Sequence, residues 1–244
     1  YFNMGAYELD GERERPSIHV TTEEDIINIS DGLISLREAL VYAANGIVCE
    51  QVGHKYIGTP TITFAADVTE ITIDDKYEEF RISTGFAGNT ENDLDGKHLR
   101  IYGGETLQVT IKNDATQYNY RVFQAGEGDY DIYSDWHVSL ENIIVKGGKP
   151  SSSDHSGQGG AIYSHGKSNV WNLTGVSILD STSTSKGGGI YLYSYGDTTL
   201  EVENSTFHGN SANIGGAIYI DSEYSTTAPA VQGNTKVVFA NSTM

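Results

Sequence analysis

Carboxylates at residues 127–135 form the part of the sequence that comes closest to a chemical site. Glu127, Asp129, Asp131 and Asp135 lie close together in the chain, and a calcium ion binds about six to eight oxygen ligands of this kind. A solvated acidic loop explains the same residues without a ligand. The sequence therefore leaves a calcium site or an acidic loop open here, and it predicts no other cofactor.

Catalysis on polysaccharides would need carboxylates that meet at one place in the fold, and a lyase would also need a basic residue to abstract a proton. The chain has no arginine after Arg121, and the adjacent Asp74 and Asp75 would face opposite sides of a strand, so a solvated turn explains them. Its later aspartates are unequally spaced: Asp154, Asp180, Asp197 and Asp221. Four histidines lack the spacing of metal ligands: His137, His155, His165 and His208. The sequence thus predicts no catalytic residue and favours a non-catalytic protein.

Tyrosines offer a second kind of candidate site. Tyr191, Tyr193 and Tyr195 alternate along the chain, so on a strand they share one face, beside Tyr163 and Tyr219 on neighbouring repeats. Flat rings with polar tips suit sugar rings or a protein partner. The alternative is that equivalent tyrosines on successive repeats stack for structural reasons. These five residues are the predicted ligand face.

A repeated motif must position these tyrosines. Gly-Gly-Ala-Ile-Tyr at 159–163 returns as Gly-Gly-Gly-Ile-Tyr at 187–191 and as Gly-Gly-Ala-Ile-Tyr at 215–219, 28 residues apart each time. A fixed period of this size indicates a solenoid, in which each repeat buries its apolar face against its neighbours. The alternation predicts an inner ladder of isoleucines, an outer ladder of tyrosines and glycines at a recurring corner.

Short β-branched runs, separated by Gly, Asn and Asp, precede the repeats. Runs of this length suit coils of strand and turn better than a sandwich with long hairpins, and the repeats lack the regular leucines of leucine-rich proteins. We predict an all-β fold, a right-handed parallel β-helix. The runs are Thr61–Phe64, Glu70–Ile73, Phe80–Ile82, Leu99–Tyr102, Val109–Ile111, Tyr120–Phe123, Val138–Leu140 and Ile143–Val145.

One helix is predicted near residues 35–45. Ser35 and Glu38 have capping-box spacing, and the apolar residues that follow fall on one face. Such a helix can cover the open first coil of a solenoid. We therefore predict a lead-in at 1–17, a cap with a first strand and the helix at 18–58, and a β-helix at 59–244. Because no leader precedes Tyr1 and no fourth Gly-Gly motif follows, we expect a piece of a longer protein.

Charge and hydropathy limit the partners. The net charge is −18 and no Lys/Arg cluster is present, which argues against nucleic acid and anionic lipid. No run approaches the roughly 18 apolar residues of a membrane helix, so we expect no direct membrane insertion by this segment.

Two segments resemble known bacterial surface proteins. Residues 31–39, Asp-Gly-Leu-Ile-Ser-Leu-Arg-Glu-Ala, resemble the Cys-Ser-Leu-Arg-Glu-Ala signature near the start of large secreted or surface-anchored β-helix proteins, with Ile34 in place of the Cys. Phe-His-Gly-Asn at 207–210, followed by Gly-Gly-Ala-Ile at 215–218, is similar to the paired motifs of polymorphic outer-membrane-protein repeats. The preceding repeat has Ile-Leu-Asp-Ser at 178–181 instead.

This resemblance covers about residues 18–244 and implies a secreted or surface location. It implies an adhesin or an autotransporter-like passenger stalk that binds a protein or glycan on a host or neighbouring cell. Two alternatives stay open at this point. One is a structural cell-envelope or filament subunit that self-associates, and the other is a carbohydrate-active enzyme of the lyase or hydrolase kind.

Overall fold

The computed structural model describes residues 15–44, 50–52, 55–57, 59–74, 76–82, 97–105, 108–114, 119–126, 135–150, 157–222 and 233–244. These residues form one α-helix and nineteen β-strands. The elements in chain order are β1 His19–Val20, α1 Leu36–Ala44, β2 Glu50–Val52, β3 Lys55–Ile57, β4 Thr61–Phe64, β5 Glu70–Thr72, β6 Phe80–Ile82, β7 Lys97–Tyr102, β8 Val109–Lys112, β9 Phe123–Ala125, β10 Asp135–Glu141, β11 Ile143–Lys146, β12 Ile162–Gly166, β13 Ser168–Thr174, β14 Ser177–Leu179, β15 Ile190–Ser194, β16 Thr198–Glu203, β17 Thr206–His208, β18 Ile218–Ser222 and β19 Thr235–Ala240.

Three parallel sheets run along the molecule. The first has the order β1-β4-β7-β10-β13-β16-β19, the second β5-β8-β11-β14-β17 and the third β6-β9-β12-β15-β18. Successive triplets of strands therefore form coils: coil 1 is β4–β6, coil 2 is β7–β9, coil 3 is β10–β12, coil 4 is β13–β15 and coil 5 is β16–β18. This arrangement is a right-handed parallel β-helix, and the predicted fold class is confirmed. Outside the three sheets, β2 and β3 form an antiparallel pair.

Parallel register stacks equivalent residues on one another. Ile162, Ile190 and Ile218 are direct neighbours across three strands, and the first two have no solvent exposure. In the first sheet Leu140 pairs with Leu173, and both are buried. The core is therefore a set of apolar ladders with a rung spacing of about 4.8 Å, as the alternating pattern predicts.

Corners between sheets use residues with positive φ. At the corner after the first sheet, Asn142, Asn204 and Asn241 have φ of 51°, 50° and 49°. Asp180 takes the same conformation, with φ of 50°, after the second sheet. Asn and Asp tolerate this region better than other side chains. The first glycine of each Gly-Gly motif fills the corner before the third sheet, as predicted: Gly159, Gly187 and Gly215.

The second glycine of the motif is required for a different reason. Gly188 lies against the next coil, and a Cβ added to it would overlap the backbone oxygen of Gly216 and the backbone of Ser211. At Gly216 the one contact that an added Cβ would make with the described residues is with the backbone oxygen of Asn210, at 3.4 Å. Close backbone approach between coils, not backbone conformation, excludes a side chain at Gly188.

The segment around Arg121 differs from its predicted strand. Residues 120–123 are predicted as a strand, whereas β9 is Phe123–Ala125. The amides of Val122 and Phe123 both donate to the carbonyl of Ala161, at 3.0 and 2.9 Å. Val122 and Phe123 together therefore lie opposite the single residue Ala161. Arg121 precedes β9 and belongs to the connection between β8 and β9, where its side chain is buried.

Helix α1 begins with the predicted capping box. The amide of Ser35 donates to Glu38 Oε2 at 2.9 Å, and the amide of Glu38 donates to Ser35 Oγ at 3.1 Å. The helix contacts β1, β4 and β6, so it covers the start of the coils as predicted; the apolar residues of its buried face are Leu36, Ala39, Leu40 and Ala43. Among the described residues no helix has the length and apolar character needed to cross a membrane.

Arg37 ties this helix to coil 1. Its Nε and Nη2 atoms donate to the two carboxylate oxygens of Asp25, at 2.8 Å each. Its guanidinium also donates to the carbonyls of Glu78 and Glu79, at 2.9 and 3.3 Å. The carbon Cζ lies 4.8 Å from the ring centroid of Phe80. The arginine of the Ser-Leu-Arg-Glu-Ala segment is therefore a clamp between cap and solenoid.

Replacing Gly188 by alanine should lower the free energy of unfolding by about 2–3 kcal/mol, because the new methyl group forces two coils apart. The matched control is Gly216→Ala, which should change that free energy by less than about 0.5 kcal/mol. Chemical denaturation followed by circular dichroism measures both. Equal effects of the two substitutions would contradict this explanation.

Arg37→Gln should lower the free energy of unfolding by about 3 kcal/mol, because it leaves the buried carboxylate of Asp25 without its bidentate partner. The exposed ion pair between Lys236 and Glu201 supplies the control, and Lys236→Gln should cost at most about 1 kcal/mol. Thermal unfolding of the two variants beside the parent protein tests this difference. A stable Arg37→Gln variant would show that the clamp is dispensable.

Candidate ligand-binding face

Three strands of the third sheet position the predicted ligand face. In β12, β15 and β18, Tyr163, Tyr191 and Tyr219 are paired residue by residue, and they alternate with the inward isoleucines. They stand on the outer side of the third sheet, on coils 3, 4 and 5. We call the five predicted residues, Tyr163, Tyr191, Tyr193, Tyr195 and Tyr219, the tyrosine face.

The three paired tyrosines form a continuous stack. Ring centroids are 5.7 Å apart from Tyr163 to Tyr191 and again from Tyr191 to Tyr219, with interplanar angles of 21° and 17°. A cation lies over each end of the stack. Arg121 Cζ is 4.9 Å from the Tyr163 ring and Lys186 Nζ is 4.7 Å from the Tyr219 ring. Aromatic stacking and cation–π attraction therefore act along one line.

Solvent exposure divides the tyrosine face into a base and a surface. Tyr163 and Tyr191 are each only 2% exposed, so they form the base, as structural stacking would require. Tyr193, Tyr195 and Tyr219 are half-buried. These last three rings are the part of the predicted face that a ligand can reach.

A second aromatic group adjoins the stack. Tyr193 pairs in register with His165, and their ring centroids are 4.7 Å apart at 69°. Tyr195 lies edge-on to Tyr193 at 5.3 Å and 5.5 Å from His165. From the sequence, His165 was a candidate only for a metal ligand and not for this face. Its position follows from the alternation along β12, because His165 is two residues after Tyr163 and therefore lies on the same face of the strand.

Asp221 lies in the same column of the third sheet as His165 and Tyr193, because Tyr193 pairs in register with both residues. Lys186 Nζ donates to Asp221 Oδ2 at 2.9 Å, and the Tyr191 hydroxyl donates to the same oxygen at 3.4 Å. The hydrogen bond to Asp221 raises the pKa of Lys186. Burial, and then the negative charge of Asp221, raise the pKa of Tyr191 far above its ordinary value, so this phenol keeps its proton. The face thus presents hydroxyl donors, an aromatic surface and one paired carboxylate.

Buried charges anchor the other end of the stack. Arg121 has no solvent exposure; its Nη1 atom donates to Gln124 Oε1 at 2.6 Å and its Nη2 atom to the carbonyl of Gln158 at 3.2 Å. A carboxylate oxygen of Glu79, in coil 1, lies 3.8 Å from Nη1. The tyrosine stack is therefore connected to the interior of the preceding coils.

The predicted calcium ligands fall mostly outside the described residues. Glu127, Asp129 and Asp131 lie there, so the arrangement of the four acids stays a prediction. Asp135 begins β10, where it accepts a hydrogen bond from Ser168 and lies 3.6 Å from Lys167 Nζ. Over the described ranges, no three His, Cys, Asp or Glu side chains are grouped to hold a metal ion.

Other aspartates from the sequence analysis have local contacts. Asp180 is a corner residue whose carboxylate lies 3.6 Å from Lys146 Nζ. Asp197 accepts a hydrogen bond from the amide of Asn234 at 2.8 Å. Asp74 accepts one from the amide of Lys76, which lowers the pKa of Asp74. The structure does not bring these three together, whereas Asp75 and Asp154 lie outside the described residues.

One family comparison gives a match. The Chlamydia polymorphic membrane protein (Chlamydia_PMP) repeat matches residues 204–221, a span that includes Tyr219 and Asp221. This short match supports the predicted likeness to polymorphic-membrane-protein repeats. No curated protein and no solved structure matches the chain.

Within the matched span, the repeat residues serve the fold. Phe207 is buried and pairs in register with Ile178. Asn210 Oδ1 accepts from the amide of Ser181 at 3.1 Å, and its Nδ2 donates to the carbonyl of Ile178 at 2.8 Å. The phenylalanine therefore fills the core, and the asparagine bonds one coil to the preceding one.

Tyr191→Ala should lower the free energy of unfolding by about 3–5 kcal/mol, because it removes the central ring of a buried stack. Tyr191→Phe keeps the ring and should cost about 1 kcal/mol or less, since the lost hydrogen bond is long. The half-buried Tyr195 provides the comparison, and Tyr195→Ala should cost less than about 1.5 kcal/mol. Urea unfolding measures the free energy of unfolding of the three variants. Equal losses of this free energy in all three would refute the division of the tyrosine face into base and surface.

Proposed function

We propose that this protein is a secreted or surface-displayed, non-catalytic β-helix of the autotransporter-passenger kind that acts as an adhesin. The observation that carries this proposal is the polymorphic-membrane-protein repeat at residues 204–221, because its family name associates such repeats with membrane proteins. A rigid solenoid with a net charge of −18 suits a soluble stalk that holds binding residues away from a cell.

In this proposal the tyrosine face is the adhesive surface. Tyr193, Tyr195 and Tyr219 offer aromatic area on two neighbouring coils, and the Tyr191–Asp221–Lys186 contacts hold the surrounding side chains in place. Tyrosine supplies contact area at little cost in side-chain entropy. The partner we propose is a glycan or a protein on a host or neighbouring cell.

The double substitution Tyr193→Ala/Tyr195→Ala should weaken binding to cells or to an arrayed glycan by about tenfold or more, since buried aromatic contacts dominate such interfaces. The matched control is Tyr102→Ala, which removes a half-buried tyrosine from the first sheet and should leave binding unchanged. Surface plasmon resonance with purified ligand, or flow cytometry with labelled protein, gives the affinity.

The outcomes of this experiment are distinct. Loss of cell binding after enzymatic deglycosylation assigns the partner as a glycan, and persistence assigns it as a protein. Failure of the parent protein to bind intact cells, matrix proteins and a glycan panel would refute the adhesin proposal. Equal losses in the double variant and in Tyr102→Ala would refute the assignment to the tyrosine face.

A further inference from the structure

Two histidines meet on the outer side of the first sheet. His98 in β7 and His137 in β10 are direct partners in the parallel register. Their ring centroids are 3.9 Å apart, with the ring planes tilted by 42°. The two histidines are 39 residues apart in the chain and lie on different coils, so the sequence alone does not indicate that they meet.

The surroundings of His137 favour a neutral imidazole. Both side chains are half-buried, and burial, followed by the proximity of His98, lowers the pKa of His137. The nearest cation on the same face of β7 is Arg100, whose guanidinium is bonded to Glu141. Neutral imidazole is the form that binds metal ions.

Asn172, on coil 4, can orient one of the rings. Its Nδ2 atom lies 3.3 Å from His137 Nε2. Half a turn of the amide, whose nitrogen and oxygen are interchangeable in shape, lets its oxygen accept the Nε2 proton. The lone pair of His137 then lies on Nδ1. A hydrogen-bond acceptor on the second ring nitrogen is the usual support of a metal-binding histidine.

We propose that His98 and His137 together bind one divalent transition-metal ion of the Zn²⁺, Cu²⁺ and Ni²⁺ group, bridging coils 2 and 3. Imidazole nitrogens suit these ions. Two nitrogens at about 2.0–2.1 Å from one ion lie about 3 Å from each other, a separation that stacked rings reach by small rotations. Within the described residues no third His, Cys, Asp or Glu joins the pair, so water completes the coordination and the affinity is moderate.

Copper provides the sharpest test. Titration of the tag-free protein with Cu²⁺, followed by isothermal calorimetry, should show one site that His98→Gln and His137→Gln each weaken by about tenfold or more, which corresponds to about 1.4 kcal/mol. Electron paramagnetic resonance of the loaded parent protein should show two nitrogen ligands, and each variant should show one. The exposed His208 supplies the matched control, and His208→Gln should bind Cu²⁺ like the parent.

Thermal unfolding gives an independent measurement. Because the ion bridges two coils of the folded state, Zn²⁺ at about 100 times its dissociation constant should raise Tm by about 5 °C in the parent and in His208→Gln. Neither His98→Gln nor His137→Gln should show this rise. Circular dichroism without metal verifies that both variants are folded.

The proposal is overturned if the His98→Gln/His137→Gln double variant retains the copper site, or if His208→Gln loses it. It is also overturned if the resonance spectrum of the parent shows a single nitrogen ligand. Asn172→Ala tests whether Asn172 orients His137 or binds the metal ion itself. Weaker copper binding with two nitrogen ligands agrees with the proposed orienting role, and loss of one nitrogen ligand contradicts it.

Discussion

In-register hydrogen bonding between parallel coils is the constraint on which the rest of this structure depends. It places each residue about 4.8 Å from its equivalent in the next coil. Each side chain must therefore pack against the side chain at the equivalent position of the neighbouring coil. Isoleucines then form core ladders, tyrosines stack, and glycine is required wherever two backbones approach, as at Gly188. The repeat motif is the sequence pattern that satisfies this constraint.

The same constraint governs charge in an acidic protein. In one outer column of the first sheet, Glu141 and Glu203 are separated by Thr174, so like charges do not lie on adjacent strands. Arg100 and Glu141 pair diagonally, as do Lys236 and Glu201. Charges that are partly or wholly removed from water occur where they join units: the half-buried Arg37 holds the cap on coil 1, and the buried Arg121 links the tyrosine stack to Glu79. Each is held by several contacts, which offset the cost of removing a charge from water.

Much of the fold could be predicted because its signals are local and repeated. The capping box of Ser35 and Glu38, the alternation in Ile162–Tyr163 and the glycine corners were all legible and are confirmed. The asparagine and aspartate corners were not predicted, although their positions after each strand and their tolerance of positive φ gave a signal. The strand near Arg121 was misplaced because a buried arginine and a two-against-one pairing carry no simple alternation.

For the candidate sites, the sequence determined by itself which residues share a strand face: parity placed Tyr191 and Tyr193 together, and the 28-residue period stacked Tyr163, Tyr191 and Tyr219. Only the tertiary structure decided which of these rings are buried: Tyr191 lies between two other rings, and Arg121, from a connection outside the motif, lies over Tyr163. It alone paired His98 with His137, because connections of unequal length separate the coils and hide the register of the first sheet from the chain. The alternation of side chains along a strand fixes the sheet face on which each one lies. Whether two side chains from different coils meet also depends on the number of residues in each coil, because that number sets which residues pair.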